Sequence, residues 1–293
     1  MIKRLAEIEC IKLGRSKSVK IISLIYILIT VLVLIISMNA VDLFNSLDVL
    51  EGVISPFGFP GIWLTGTWLS ALLVIFPVMI SILHIGGEFT QKIHRQHIID
   101  GLSKNEYVLS KFLSLIIISL AFTIYTLLLC ALAGILIGGD GASINTEVDN
   151  NFFLYIIGYF VYIFSILSFA MLITFLLRKT GRSIFAFMTY YFFLEWIITL
   201  FTKYTFIPKF LPITSIANNI FPNFSGTAIR VSSKFGEPPP MIEAEKYMAE
   251  VEEYTGRLWD NWMMFDWQAV LFAIVYIGIY FVITRWLFLR RDL

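Results

Sequence analysis

The sequence predicts an all-α polytopic membrane protein with six transmembrane helices, and three observations predict it. Hydrophobic side chains make up 58% of the 293 residues and charged ones only 15%, which is too apolar for a soluble globular chain. The apolar residues fall into six runs long enough to cross about 30 Å of hydrocarbon. The charged residues cluster between those runs, with basic and acidic connections separated. Net charge is only +1, so nothing in the overall balance suggests a nucleic-acid partner.

The first element is Met1 to Lys17. Ile2, Leu5, Ile8 and Ile11 recur at three-residue spacing among Lys3, Arg4, Lys12, Arg15 and Lys17, the pattern of an amphipathic helix lying in the membrane interface. It gives a boundary at 1–18, with 19–293 as a single transmembrane domain. The spans are expected at Val19–Met38, Trp63–Ile85, Val108–Gly138, Phe152–Leu177, Ser183–Phe201 and Trp267–Leu289. Pro77 lies inside the second and is a candidate helix kink. A turn-rich connection with Pro56, Gly58, Pro60 and Gly61 precedes that span.

Between the second and third spans lies Gly86 to Lys111, which carries four Lys/Arg, two His and three carboxylates and cannot lie in hydrocarbon. Residues 86–107 read as a helical hairpin. Glu88 to Ile99 is expected as one short helix, Asp100-Gly101 as a turn, and Ser103 with Glu106 as a capping box opening the third span. His94 and His97 are spaced for a shared metal, but no third ligand accompanies them, so no metal site is assigned.

The fifth span holds Glu195, the one carboxylate well inside an apolar run. Such a residue normally faces a bundle interior or a wet cavity. Both a role on a substrate path and a structural hydrogen bond to Tyr190, Tyr191 or a neighbouring subunit are open. The connection 202–266 divides into Phe206–Phe224, broken by Pro208, Pro212 and Pro222 and read as re-entrant or lying in the outer interface, and Met241–Met264, read as an outer amphipathic helix. Trp259, Trp262 and Trp267 fit an aromatic belt.

Orientation follows from the charges. Residues 1–20 carry six Lys/Arg, the central hairpin four, 178–182 three and the C-terminal end three, whereas 40–62 and 139–151 carry none. The positive-inside rule places both termini in the cytoplasm. Cys10 and Cys130 make no disulfide framework. No nucleotide-binding P-loop and no H-E-x-x-H, C-x-x-C or G-x-S-x-G occurs, so no catalytic residue is assigned and the chain is not read as an enzyme.

The stretch EFTQKIHRQHIIDGLSKNEYVLSKFL, the six spans, the leading amphipathic helix and the broken apolar segment before the last span together resemble the ABC type-2 transporter permeases, the type V exporter fold. On that resemblance residues 1–18 are the elbow helix and the central hairpin carries the coupling helix. Glu88 and Thr90 match its start, Gly101 and Ser103 the turn, and Lys111 the entry to the third span. His94 and Arg95-Gln96-His97 depart from the more usual small or apolar residues there. The resemblance implies a cell-membrane subunit, in a bacterial inner membrane, that binds no cofactor itself. It implies partners as well: two copies of an ATP-binding cassette subunit carrying ATP and Mg, a second permease copy or paralogue, and membrane lipids. Contact with the ATPase subunit would fall on Glu88, Thr90, Gln91, Lys92, His94, Arg95 and Asp100. The implied function is ATP-driven export of a hydrophobic or amphipathic substrate. Two other classes stand beside it: an intramembrane, protease-like enzyme using Glu195, and a passive membrane scaffold or channel.

Overall fold

The computed structural model describes residues 2–46, 61–137, 152–202, 210–212 and 266–290, and the regular structure among them is helical. Helix α1 spans Ile2–Arg15 and α2 Lys17–Ser46. They are separated by Ser16, whose hydroxyl accepts from the Val19 amide at 3.5 Å. Then follow α3 (Gly61–Leu72), α4 (Ile75–Thr90), α5 (Ile93–Ile99) and α6 (Lys104–Ile137). The second half comprises α7 (Phe152–Leu177), α8 (Thr180–Thr189), a π-helical turn at Tyr190–Leu194, α9 (Glu195–Thr202) and α10 (Asp266–Arg290).

Among the described residues, five helices are long and apolar enough to cross a membrane: α2, α6, α7, α10 and the continuous α8–π–α9 rod. The second span expected from the sequence is different. It is broken into α3 and α4 by a turn at Leu73–Val74, and 16 residues of α4 reach only about 24 Å at 1.5 Å per residue. Pro77 explains the position of the break. It has no amide to bond the carbonyl of Leu73, four residues earlier, and its ring crowds that carbonyl. The chain turns there, with the Phe76 amide bonding Leu73 O at 3.1 Å and the Val78 amide bonding Val74 O at 3.2 Å.

A second difference concerns α1. The face turned to the bundle is Leu5, Glu9 and Leu13, all buried, whereas Ile8 and Ile11 are exposed. A strict three-residue repeat drifts backwards around a helix of 3.6 residues per turn, so Ile2, Leu5, Ile8 and Ile11 do not share one face; the four-residue step does so more closely.

Helix α7 is the centre of the bundle and packs against α3, α4, α6, α8 and α10. Tyr159, Tyr162, Ile163, Ile166, Leu167, Ala170, Met171 and Phe175 place it in the main core. The peripheral helices leave apolar rows outward, as in α2 with Ile21, Leu24, Leu28, Leu32 and Ile36, the surface that lipid tails cover. Midway along the bundle hydroxyls are satisfied by one another: Tyr26 with Tyr159 at 3.4 Å, Thr126 with Tyr159 at 3.2 Å and Thr30 with Tyr125 at 2.7 Å. Helix α4 crosses the start of α8 closely, since a methyl group on Gly86 would stand 2.9 Å from Thr180 Oγ1 and 3.1 Å from its Cα. The segments Phe206–Phe224 and Met241–Met264 and the tryptophans Trp259 and Trp262 lie outside the described residues, apart from 210–212.

Candidate functional site

The hairpin is built differently from the single helix Glu88–Ile99. Helix α4 runs on through Thr90, Gln91 and Lys92 turn, and α5 starts at Ile93. Lys92 takes the left-handed conformation, φ 60°, which redirects the chain between the two helices. The second turn is glycine-dependent, with Gly101 at φ +99°. The capping box then closes as its spacing predicts: the Ser103 amide donates to Glu106 Oε2 at 2.8 Å, and the Glu106 amide donates to Ser103 Oγ at 3.2 Å.

Inside this hairpin is a buried ion cluster drawn from four helices. Lys111 of α6 has no exposed surface, and its Nζ donates to Glu88 Oε1 of α4 at 2.6 Å and to Glu9 Oε1 of α1 at 2.9 Å. Lys12 of α1 reaches the same Glu88 oxygen at 3.0 Å and lies 3.5 Å from Glu9 Oε1. The second oxygen of Glu88 accepts from the Tyr107 hydroxyl at 2.9 Å, and that of Glu9 pairs with His84 Nε2 at 2.7 Å. Lys12 Nζ also stands 3.0 Å from His97 Nε2 of α5. An ammonium has only protons to give, so His97 accepts at Nε2 and carries its proton on Nδ1. Two carboxylates face two ammonium groups, so the formal charges of the four side chains balance.

Burial pushes the Glu9 carboxyl upward, but the His84 hydrogen bond and the charges of Lys111 and Lys12 outweigh it and hold it at about 2. His97 is shifted down by its own burial and by the neighbouring Lys12 charge. His94 is also shifted down, by burial first and then by Arg178 and Arg95, although its Nδ1 lies 3.3 Å from the Glu88 carbonyl. Glu9, His84 and Glu88 have the chemistry and spacing to share a metal ion. Lys111 Nζ already stands between the two carboxylates, however, so the position for a cation is filled by the chain's own ammonium.

Aromatic packing surrounds the ions. Phe89, Tyr107, Phe175 and Phe288 come from α4, α6, α7 and α10, with Tyr107 stacked on Phe288 at 5.2 Å and Phe89 edge-on to Phe175 at 5.0 Å. Arg285 of α10 donates through Nε to Asn105 Oδ1 at 2.9 Å. Thr90 Oγ1 lies 3.3 Å from Thr180 Oγ1 of α8. Six helices therefore meet at the hairpin, and α5 sits on top of them.

The sequence-derived contact residues divide into two groups. Thr90, Gln91, Lys92, Arg95 and Asp100 are exposed, whereas Glu88 and His94 are buried and turned inward. Sequence reasoning missed Glu9, Lys12 and His84 as members of the cluster. The available signal was a carboxylate flanked four residues each way by leucines, Leu5-Glu9-Leu13, which puts a charge on a buried helical face. Glu195 is placed elsewhere. It begins α9, roughly 22 Å along the rod from Thr180, is only 4% exposed, and is hydrogen-bonded to Tyr190.

Comparison with known proteins bears on the whole bundle. The family model described as ABC-2 family transporter protein matches residues 59–290, which includes α3 to α10 and the hairpin. No curated protein matches the chain significantly. The match covers well over half of the sequence, and with its multi-pass helical bundle the chain belongs to the ABC-2 transporter family of membrane transport subunits.

Proposed function

We propose that this chain is the permease subunit of an ATP-driven exporter and that α5 is the coupling helix on which a separate ATP-binding cassette subunit docks. The observation that carries the reading is the ion cluster. A load applied to α5 reaches α1 through Lys12 at the rim, α4 and α6 through the buried charges behind it, and α7 and α10 through the aromatic rings. A hairpin held only by its two connections would bend under the same load. On this reading α1 is the elbow helix, the α3–α4 pair is the sixth crossing, and both termini are cytoplasmic. Two permease copies, or one with a paralogue, would enclose the path for a hydrophobic or amphipathic substrate.

The docking face is the exposed set Thr90, Gln91, Lys92, Arg95 and Asp100, joined by Ile99, which is 82% exposed. Glu88 and His94 act from below by fixing the hairpin. The test is purification of the tagged protein in mild detergent with intact-complex mass and an ATPase assay. Recovery of an ATP-binding subunit with two permease copies is expected. The double substitution Arg95→Glu/Ile99→Asp, made on exposed side chains, is expected to abolish that recovery while leaving the permease folded. A permease recovered without an ATPase under all mild conditions would overturn the reading and favour a passive channel or scaffold.

A further inference from the structure

The second unusual place in this bundle is the π-helical turn. Tyr190 and Glu195 are five residues apart, and in a regular α-helix they would point about 140° away from each other. The turn at Tyr190–Leu194 changes that, because the Glu195 amide bonds the Tyr190 carbonyl in the five-residue pattern, bringing both side chains to one face. Their side chains are hydrogen-bonded to each other. Two further tyrosines come from α10: Tyr276 and Tyr280 stack at 5.8 Å. Phe169 of α7 closes the set, with its ring 4.8 Å from Tyr190 and 5.4 Å from Tyr280. The Tyr280 side chain is buried, and its hydroxyl finds no hydrogen-bond partner among the described residues.

A carboxylate gathered with three phenol rings and a phenyl ring is a composition that attracts an organic cation with an apolar body. Around it the rod exposes Phe192, Phe193, Leu194, Trp196 and Ile197, an apolar approach suited to a molecule arriving from the lipid phase. We propose that Glu195, Tyr190, Tyr276, Tyr280 and Phe169 form a binding site for an amphipathic organic monocation. As the substrate site of the permease it rests on the transport reading above; as a binding site it does not.

The experiment uses the full-length chain in lipid nanodiscs without any ATPase subunit, so that it stands or falls separately from the assembly. Binding of radiolabelled tetraphenylphosphonium is measured against tetraphenylborate, which has nearly the same shape and the opposite charge. Saturable binding of the cation alone is expected, weakened about tenfold or more by Glu195→Gln and a few-fold by Tyr276→Leu, with thermal unfolding of both variants measured alongside. If Glu195→Gln fails to fold, Tyr190→Phe, which removes one hydroxyl, is expected to alter cation affinity while the anion still shows no saturable binding. Absence of saturable cation binding, equal binding of the anion, or unchanged affinity in Glu195→Gln would overturn the proposal. Cation binding with no ATPase partner ever recovered would keep the site and remove the transport reading.

Discussion

Lys111 is the side chain on which the ion cluster depends. It is fully buried and shared between Glu88 and Glu9, so replacing it with methionine leaves two carboxylates close together with only Lys12, at the rim, to balance them. Removing one partner of a buried ionic set costs about 3–5 kcal/mol. Lys111→Met is expected to lower the unfolding temperature sharply, and adding Glu9→Gln and Glu88→Gln is expected to recover most of the loss. A single variant as stable as the wild type would show that the cluster does not bear on stability. Acid acts on the same groups. Glu9 is held near 2, below its ordinary range, so its contribution is complete at neutral pH and is lost as pH falls from about 4.5 toward 2. His97 and His94 are also shifted down. Below their ordinary value the unfolded chain binds protons that the folded one refuses, so stability already declines as pH falls through 6.5. Thermal unfolding at pH 7.5 and 5.5 is expected to show that decline, and the double variant His94→Gln/His97→Gln is expected to flatten it.

At the scale of the elements, what the sequence disclosed follows from what each signal measures. Hydropathy reports burial in hydrocarbon, and it found α7 with the bounds Phe152–Leu177 and α6, the α8–π–α9 rod and α10 within four residues, whereas α2 runs on to Ser46, eight residues past the expected Met38. Turn chemistry is local, which is why Gly101 and the Ser103–Glu106 box were readable. The break in α3–α4 was not, because an apolar run looks the same whether its helix is continuous or not; Pro77 marked the run without saying on which side the chain would turn. The partners of Glu88 were hidden for a different reason: Glu9 lies 79 positions before it, and only tertiary packing brings the two together. The family resemblance could name Glu88 and Lys111 but not show that they bind each other, and it put Glu88 among docking residues where the structure turns it inward. Close helix crossings share this dependence on packing. Gly86→Ala places a methyl group 3.1 Å from the Thr180 Cα. The strain of forcing α4 and α8 apart, about 1–3 kcal/mol, outweighs the gain of roughly 1 kcal/mol in helix propensity. Net destabilisation is expected in thermal unfolding, and a stabilised variant would contradict the closeness of the crossing.

On the scale of the whole molecule, the ion cluster makes a claim about how distant segments move. Helix α1 is joined to the bundle through Glu9 and Lys12, and α5 through Lys12, Glu88 and the rings beneath it, so the two ought to loosen together although α2, α3 and α4 lie between them in sequence. Glu9→Gln tests this with little disturbance: it keeps the shape of the side chain and leaves the Lys111–Glu88 and Lys12–Glu88 pairs in place, but removes one charge that both ammonium groups use. A local weakening of about 1.4 kcal/mol corresponds to a tenfold rise in the open fraction. Hydrogen exchange of the Ile93–Ile99 amides is therefore expected to quicken by about that factor in Glu9→Gln, with exchange around Tyr159 and Tyr162 in the middle of α7 unchanged because their rings and hydroxyls do not use the cluster. If faster exchange stays confined to Ile2–Arg15, α1 is an appendage and the hairpin is held by α4 and α6 alone. If it spreads to α5, a substitution far away in sequence has softened the surface on which an ATPase would push, as transmission through a single buried cluster requires.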